Sequence, residues 1–352
     1  MNTELKKYIA YLTVAIVLLV VANANASQKI NPNDDRILFG GSLHLVMKNE
    51  GVLLNRHSEN LFGNPETAMK RERANTTSGI TITFTTNSKL SRLFFGLRSD
   101  ITKQQEPFFA IYKNDEYITC LKTIEPVLEN KEGKFVTWKL YLPIFSGLIF
   151  YGIEIDDNSQ LKTTKITKCK NYVAIGNSIT HGIGQKGVSS DGTYPALLAR
   201  EKKWSLYNLA VGGSHISPSV ADEFDGLKAD IITVLWGYND WKWSKTEISG
   251  IADKYRKLLV NLRKKHPESD IYCILPTYTT TPKAVYRDSS VTISLLREAE
   301  MEVIASLIEC GDAKLFQIDG LSLTSEEDLF DTVHLSTEGA RRFAKKIAEI
   351  IR

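Results

Sequence analysis

Cysteine is scarce in this chain: Cys120, Cys169, Cys273 and Cys310 are the four thiols among 352 residues. So few, at spacings that match no metal motif, exclude a disulfide-stapled scaffold. Cys273, in "DIYCILP", reads as a buried strand residue acting as a small hydrophobe, and a bond between Cys120 and Cys169 stays open. An excess of charge of one sign is lacking too. The 44 Lys and Arg against 41 Asp and Glu leave a formal net charge of +3, which argues against a surface built for nucleic acid. Internal repeats and low-complexity tracts are absent. The longest apolar stretch, "YIAYLTVAIVLLVVA" from Tyr8 to Ala22, has 15 residues, short of the roughly 20 that a bilayer span needs.

That stretch has another reading. Lys6 and Lys7 precede it and "ANA" at Ala24 to Ala26 follows, the three parts of an export signal. Residues 1–26 are therefore expected to be a signal peptide cleaved after Ala26, leaving an exported, periplasmic or secreted chain with no stable membrane span. No cysteine follows the apolar run, which argues against a lipid anchor. Hydrophobic residues at 43% and charged residues at 24% match a globular protein. The length exceeds what one core usually organises, so two domains are expected.

From about Ile37 to Asp156 the sequence offers short β-rich runs, among them "GITITFTT", "PFFAIYKN", "FVTWKLYLP" and "LIFYGIEID", separated by polar or glycine-bearing turns. This predicts an all-β sandwich, jelly-roll-like, over residues 27–157. Residues 158–170, polar and lysine-rich, read as a linker. From residue 171 to 352 the texture changes: "YVAIG", "SLYNLAV", "DIITVLWG", "DIYCILP" and "KLFQID" alternate with amphipathic helical stretches such as "YPALLAREKK" and "STEGARRFAKKIAEII". Such alternation predicts an α/β domain with a parallel sheet between two helical layers, and ligands in such folds bind beyond the carboxyl ends of the strands.

Chemistry-bearing residues collect at those ends. "YVAIGNSITHG" puts Ser178 just past the first strand, "NLAVGGSH" puts Gly212 and Gly213 past the second, "LWGYND" puts Asn239 past the third, and "DLFDTVHLS" places Asp331 and His334 before the last helix. Singly each has a structural explanation, since serine after a strand usually caps a helix and glycines make turns. Together they supply a nucleophile, a base, a carboxylate to orient the base and donors for an oxyanion, which is what acyl transfer from serine needs.

These blocks resemble the SGNH hydrolases, the GDSL-type esterase and lipase superfamily. The resemblance spans Asn171 to Arg352 and implies a flavodoxin-like three-layer α/β/α fold. It further implies Ser178 as nucleophile, His334 and Asp331 as its partners, and an oxyanion hole from Ser178, Gly213 and Asn239. Gly213 fits better than Gly212 because it stands five residues after Asn208. Asn177 occupies the position where the family name implies aspartate. "GNSIT" is similar to SGNH enzymes that act on acylated sugars, and "YLPIFSGLIFYGIEID" is similar to the end of a β-rich module preceding the hydrolase domain in exported bacterial members. The expected substrate is thus a small-molecule or glycan ester, with a short acyl group such as acetyl on a carbohydrate, and no metal or organic cofactor is expected. Trp241, Trp243 and Tyr278 are candidates for contact with sugar, whereas His181 and His215, in different loops, make no metal site. The alternatives are an exported glycan-binding protein whose hydrolase half no longer turns over, and a lipase or thioesterase of the same superfamily.

Overall fold

The computed structural model describes residues 27–352 other than 49, 103, 166–167 and 287–289, so the expected export signal lies outside the described residues. Runs rich in β-branched and aromatic side chains form the strands. Up to Lys162 these are β1 (Ser27–Ile30), β2 (Leu38–Gly40), β3 (His44–Lys48), β4 (Gly51–Asn55), β5 (Thr81–Thr86), β6 (Leu90–Leu97), β7 (Phe108–Lys113), β8 (Glu116–Lys122), β9 (Val127–Glu129), β10 (Val136–Tyr141), β11 (Leu148–Asp156) and β12 (Leu161–Lys162). One short helix, α1 (Arg71–Ala74), lies between β4 and β5.

The strands form two antiparallel sheets, one in the order β3-β4-β11-β6-β9 with β1 beside β11, the other β12-β5-β10-β7-β8 with β2 beside β5. Alternation decides what lies between them. Val136, Trp138 and Leu140 of β10 share one buried cluster with Ile82 and Phe84 of β5, Leu93 and Phe95 of β6, and Phe150 of β11. The result is a sandwich. β12 falls within the stretch read as a linker: Leu161 pairs with Thr86 of β5 and joins the sandwich core, because a lone leucine in a polar segment gains most by covering that edge.

The remaining elements are β13 (Asn171–Gly176), α2 (Ser178–His181), α3 (Tyr194–Lys202), β14 (Ser205–Asn208), β15 (Ile231–Leu235), α4 (Tyr238–Trp243), α5 (Ile248–Lys265), β16 (Asp270–Ile274), α6 (Ile293–Glu309), β17 (Leu315–Ile318), α7 (Gly320–Leu323) and α8 (Thr337–Ile350). Their five strands make a wholly parallel sheet in the order β14-β13-β15-β16-β17. Every residue of β15 is buried, as expected for a central strand covered on both faces. Helix α5 turns Ile251, Tyr255, Leu258, Leu259 and Leu262 inward, and α8, capped by Ser336 Oγ on Gly339 N–H, buries Ala340, Phe343, Ala344 and Ile347; both follow the 3.6-residue period. Helix α3 packs on α8 and α5 on α6, one pair for each face. In a sheet wound in this order the chain reverses direction between β13 and β15, and the crevice at their carboxyl ends is where ligands bind.

Candidate active site

At the end of β13 the chain passes close against β15: a Cβ on Gly176 would strike Leu235 O and the Thr180 side chain. Asn177 then caps α2, its Oδ1 accepting Ile179 N–H at 3.4 Å. Ser178 is the first residue of that helix, so its own N–H has no partner within the helix. It is buried, with 6% of its surface exposed.

Ser178 Oγ lies 2.8 Å from His334 Nε2, and His334 Nδ1 lies 2.7 Å from Asp331 Oδ2. The other carboxylate oxygen accepts the backbone N–H of Val333 and of His334, each at 2.9 Å. Burial works against ionisation of Asp331, but the N–H and ring of His334 and the N–H of Val333 outweigh it and hold the carboxyl below its ordinary range. An ionised Asp331 can only accept, so Nδ1 carries the proton and Nε2 accepts the serine hydroxyl. The loop is held from both sides, with Phe330 N–H on His334 O at 2.7 Å and Gln185 Nε2 donating to Leu335 O at 3.0 Å.

Asn239 stands in the first turn of α4, just beyond the carboxyl end of β15 and so at the same end of the sheet. Its Nδ2 donates one hydrogen to Ser214 O at 2.8 Å, which fixes the amide and leaves the second hydrogen for a ligand. Gly213, at φ +77°, takes a left-handed conformation that glycine adopts without strain, in a turn closed by Ser214 N–H on Val211 O at 3.1 Å. Ile216 N–H donates to Asp240 Oδ2 at 2.9 Å, so the turns beyond β14 and β15 are tied together.

The sandwich takes part in this architecture through Arg56, a residue the sequence does not single out, and through its contacts with His181. Arg56, just past β4 and with no exposed surface, donates from Nη1 to Asn208 O at 2.9 Å and Ala210 O at 2.6 Å, and from Nη2 to Arg73 O at 3.0 Å. Burial pushes its guanidinium down to about 9, and it remains charged at neutral pH. His181 accepts Gly212 N–H at Nδ1 (2.9 Å) and turns Nε2 toward Ile144 O (3.2 Å) and Thr76 Oγ1 (3.0 Å). Complete burial, then the charge of Arg56, holds the His181 ring well below the usual histidine range. It is a neutral strut between sandwich and sheet. His215 stands apart, 3.6 Å from Asp240. A lone arginine after a strand, as in "NRHS", carries no local mark of such a junction, because the carbonyls it holds across the junction, those of Asn208 and Ala210, lie more than 150 residues away.

The candidate sugar contacts divide. Trp241 corrects the expectation: it has no exposed surface, donates from Nε1 to Val291 O at 3.0 Å and belongs to the domain core, so it presents no face to a sugar. The alternation of helix α4 turns it inward and leaves Trp243 52% exposed. Tyr278 is partly buried in a loop that braces the histidine loop, where Thr280 N–H and Thr279 Oγ1 both donate to Thr332 O. All four cysteines are free thiols, Cys273 buried and Cys120 and Cys169 unbonded.

Solved structures share this two-part fold. The salicylyl-acyltransferase SsfX3 from a tetracycline biosynthetic pathway aligns over 92% of this chain and 96% of its own at 20% identity, with a TM-score of 0.77. A family two carbohydrate esterase from Clostridium thermocellum aligns over 90% and 98% at 14% identity, TM-score 0.66, and the acetyl xylan esterase Est2A from Butyrivibrio proteoclasticus over 93% and 98% at 15%, TM-score 0.63. No curated protein sequence matches the chain. Residues 174–342 match the model of the GDSL-like lipase/acylhydrolase family, and the half of the chain that carries Ser178, Gly213, Asn239, Asp331 and His334 is accordingly a GDSL-like, SGNH-type acylhydrolase domain.

Proposed function

We propose that the protein is an exported serine esterase that removes short acyl groups, acetyl foremost, from carbohydrates. The observation that carries this reading is the unbroken chain from Ser178 Oγ through His334 to Asp331, at 2.8 and 2.7 Å, set where the parallel sheet reverses. Ser178 Oγ attacks the ester carbonyl carbon while its proton passes to His334 Nε2, and Asp331 stabilises the imidazolium. The tetrahedral oxyanion accepts from the N–H groups of Ser178 and Gly213 and from the free amide hydrogen of Asn239. Collapse breaks the bond to the sugar oxygen, which takes the proton from Nε2, and leaves Ser178 acylated. Water then attacks with His334 as base, releasing the carboxylic acid and restoring the hydroxyl.

The salicylyl-acyltransferase of like fold supports a second reading, in which an alcohol rather than water receives the acyl group. Acetate release from acetylated oligosaccharides, measured beside 4-nitrophenyl acetate and octanoate, tests both. The esterase reading expects acetate release and a steep fall from acetyl to octanoyl. Release only when an acceptor alcohol is added favours transfer, and a rate that rises with chain length favours a lipase.

A further inference from the structure

One charged group at the crevice has no part in this chemistry. Helix α1 of the sandwich is pinned by Arg56, which donates to Arg73 O at 3.0 Å, and by Thr76 Oγ1, which donates to the same oxygen at 2.9 Å. The adjoining segment is tied to the turn beyond β14: His215 N–H donates to Ala68 O at 3.1 Å, and Ala68 N–H to Ser217 Oγ at 2.9 Å. This placement sets the Arg73 side chain over the glycine pair. A Cβ on Gly213 would come within 3.2 Å of Arg73 Nη1, and one on Gly212 within 3.3 Å. Arg73 is exposed, and among the described residues no carboxylate pairs with its guanidinium, although Arg71 on the same helix binds Glu59 at 2.6 Å.

An exposed arginine is usually solvated and contributes little. Arg73 differs in its backbone, held by a fully buried guanidinium, and in its place against the loop that offers Gly213 N–H. A planar fork of donors beside the turn that carries Gly213 is suited to bidentate recognition of a carboxylate, a fixed geometry that a lysine would not supply.

We propose that Arg73 is a specificity residue, and that the preferred substrate is an ester bearing a carboxylate, either on its alcohol half, as in an acylated uronic acid, or on its acyl half, as in a hemisuccinate. The proposal rests on the esterase reading of the same site and narrows it to anionic esters. Gly213 then has a second reason besides its backbone conformation, since a Cβ there would crowd the guanidinium at 3.2 Å.

The test compares kcat/KM of the wild type on two matched pairs: acetylated methyl glucuronide against acetylated methyl xyloside, and mono-(4-nitrophenyl) succinate against 4-nitrophenyl acetate. One charged member should exceed its neutral partner about tenfold or more, and that ratio should collapse in Arg73→Gln, survive in part in Arg73→Lys, and shrink with added salt. The first pair showing the excess places the carboxylate on the alcohol; the second places it on the acyl group. Charged-to-neutral ratios near one in the wild type overturn the proposal. So does an Arg73→Gln enzyme that slows on both members equally, which would make the guanidinium an aid to the oxyanion. A wild type inactive even on 4-nitrophenyl acetate would instead sink the esterase reading. Calorimetric titration of Ser178→Ala with the glucuronide and xyloside then still decides the role of Arg73, tighter binding of the glucuronide supporting it and equal binding overturning it.

Discussion

The ring Nδ1 of His181 accepts the backbone N–H of Gly212 at 2.9 Å, so one buried imidazole joins the helix that begins at Ser178 to the turn that carries Gly213. His181→Ala should leave a buried N–H without an acceptor, at a cost of about 1–3 kcal/mol. With the turn released, turnover should fall about tenfold or more while substrate affinity changes little. Thermal melts and steady-state kinetics read the two effects. A lower melting temperature with unchanged kcat would show that the contact serves the fold alone.

Acid should destabilise the protein through its buried histidines. His57, fully buried and 3.8 Å from Glu223, is held well below the ordinary histidine range by burial and then by the charge of Arg56, as His181 is. Both rings are neutral in the folded chain and titrate near 6.5 when it unfolds. The unfolded state therefore binds more protons below that value. The stability they provide is complete above pH 6.5 and is lost as pH falls toward the folded values, at about 1.4 kcal/mol per pH unit per group. Urea unfolding at pH 7.5, 6.5 and 5.5 should show the loss between the last two, and a flat profile would count against neutral buried rings.

Glu300 acts with the opposite sign. Its carboxyl is fully buried without a hydrogen-bond partner among the described residues, against Gly237 at the start of the turn to Asn239. Burial, then the nearby Asp240, raises its pKa well above the ordinary value. Its stability contribution is present below the unfolded value of 4.5 and lost as pH rises. Glu300→Gln, which cannot ionise, should stabilise the protein more at pH 8 than at pH 5, and equal changes in melting temperature at the two pH values would contradict this.

Asn239→Ala should lower turnover by about 10² to 10³ with little change in KM, since the lost hydrogen bond is made to charge that develops in the transition state. Asn239→Asp should be at least as slow, because it sets an acceptor against Ser214 O. Asn177, whose Oδ1 only caps α2, should tolerate Asn177→Asp with less than tenfold loss. Turnover at saturating 4-nitrophenyl acetate separates these outcomes, and an Asn239→Ala enzyme near the wild-type rate would remove Asn239 from the oxyanion site.

Ser178→Ala and His334→Ala should each abolish hydrolysis, and the double variant should be no worse than either, because the two groups act as a unit. Purified single and double variants assayed on a short-chain ester check this. A double variant far below both singles would mean that one of the pair retains an independent route.

By itself the sequence determined the sandwich followed by a parallel α/β sheet, since strand alternation, helical period and turn residues are signals carried within a few neighbours. It also marked Ser178, Gly213, Asn239, Asp331 and His334, because the first three stand in short blocks beyond strand ends and the last two in a short block before the final helix. Tertiary structure alone decided that Ser178 and His334, 156 residues apart, meet, that Trp241 faces the core while Trp243 faces out, and that Leu161 belongs to a sheet. It likewise decided that Arg56, Arg73 and His181 join the sandwich to the turn carrying Gly213. Those contacts are made between residues whose partners lie far along the chain, and a long-range contact leaves no period, spacing or composition in the segment that makes it.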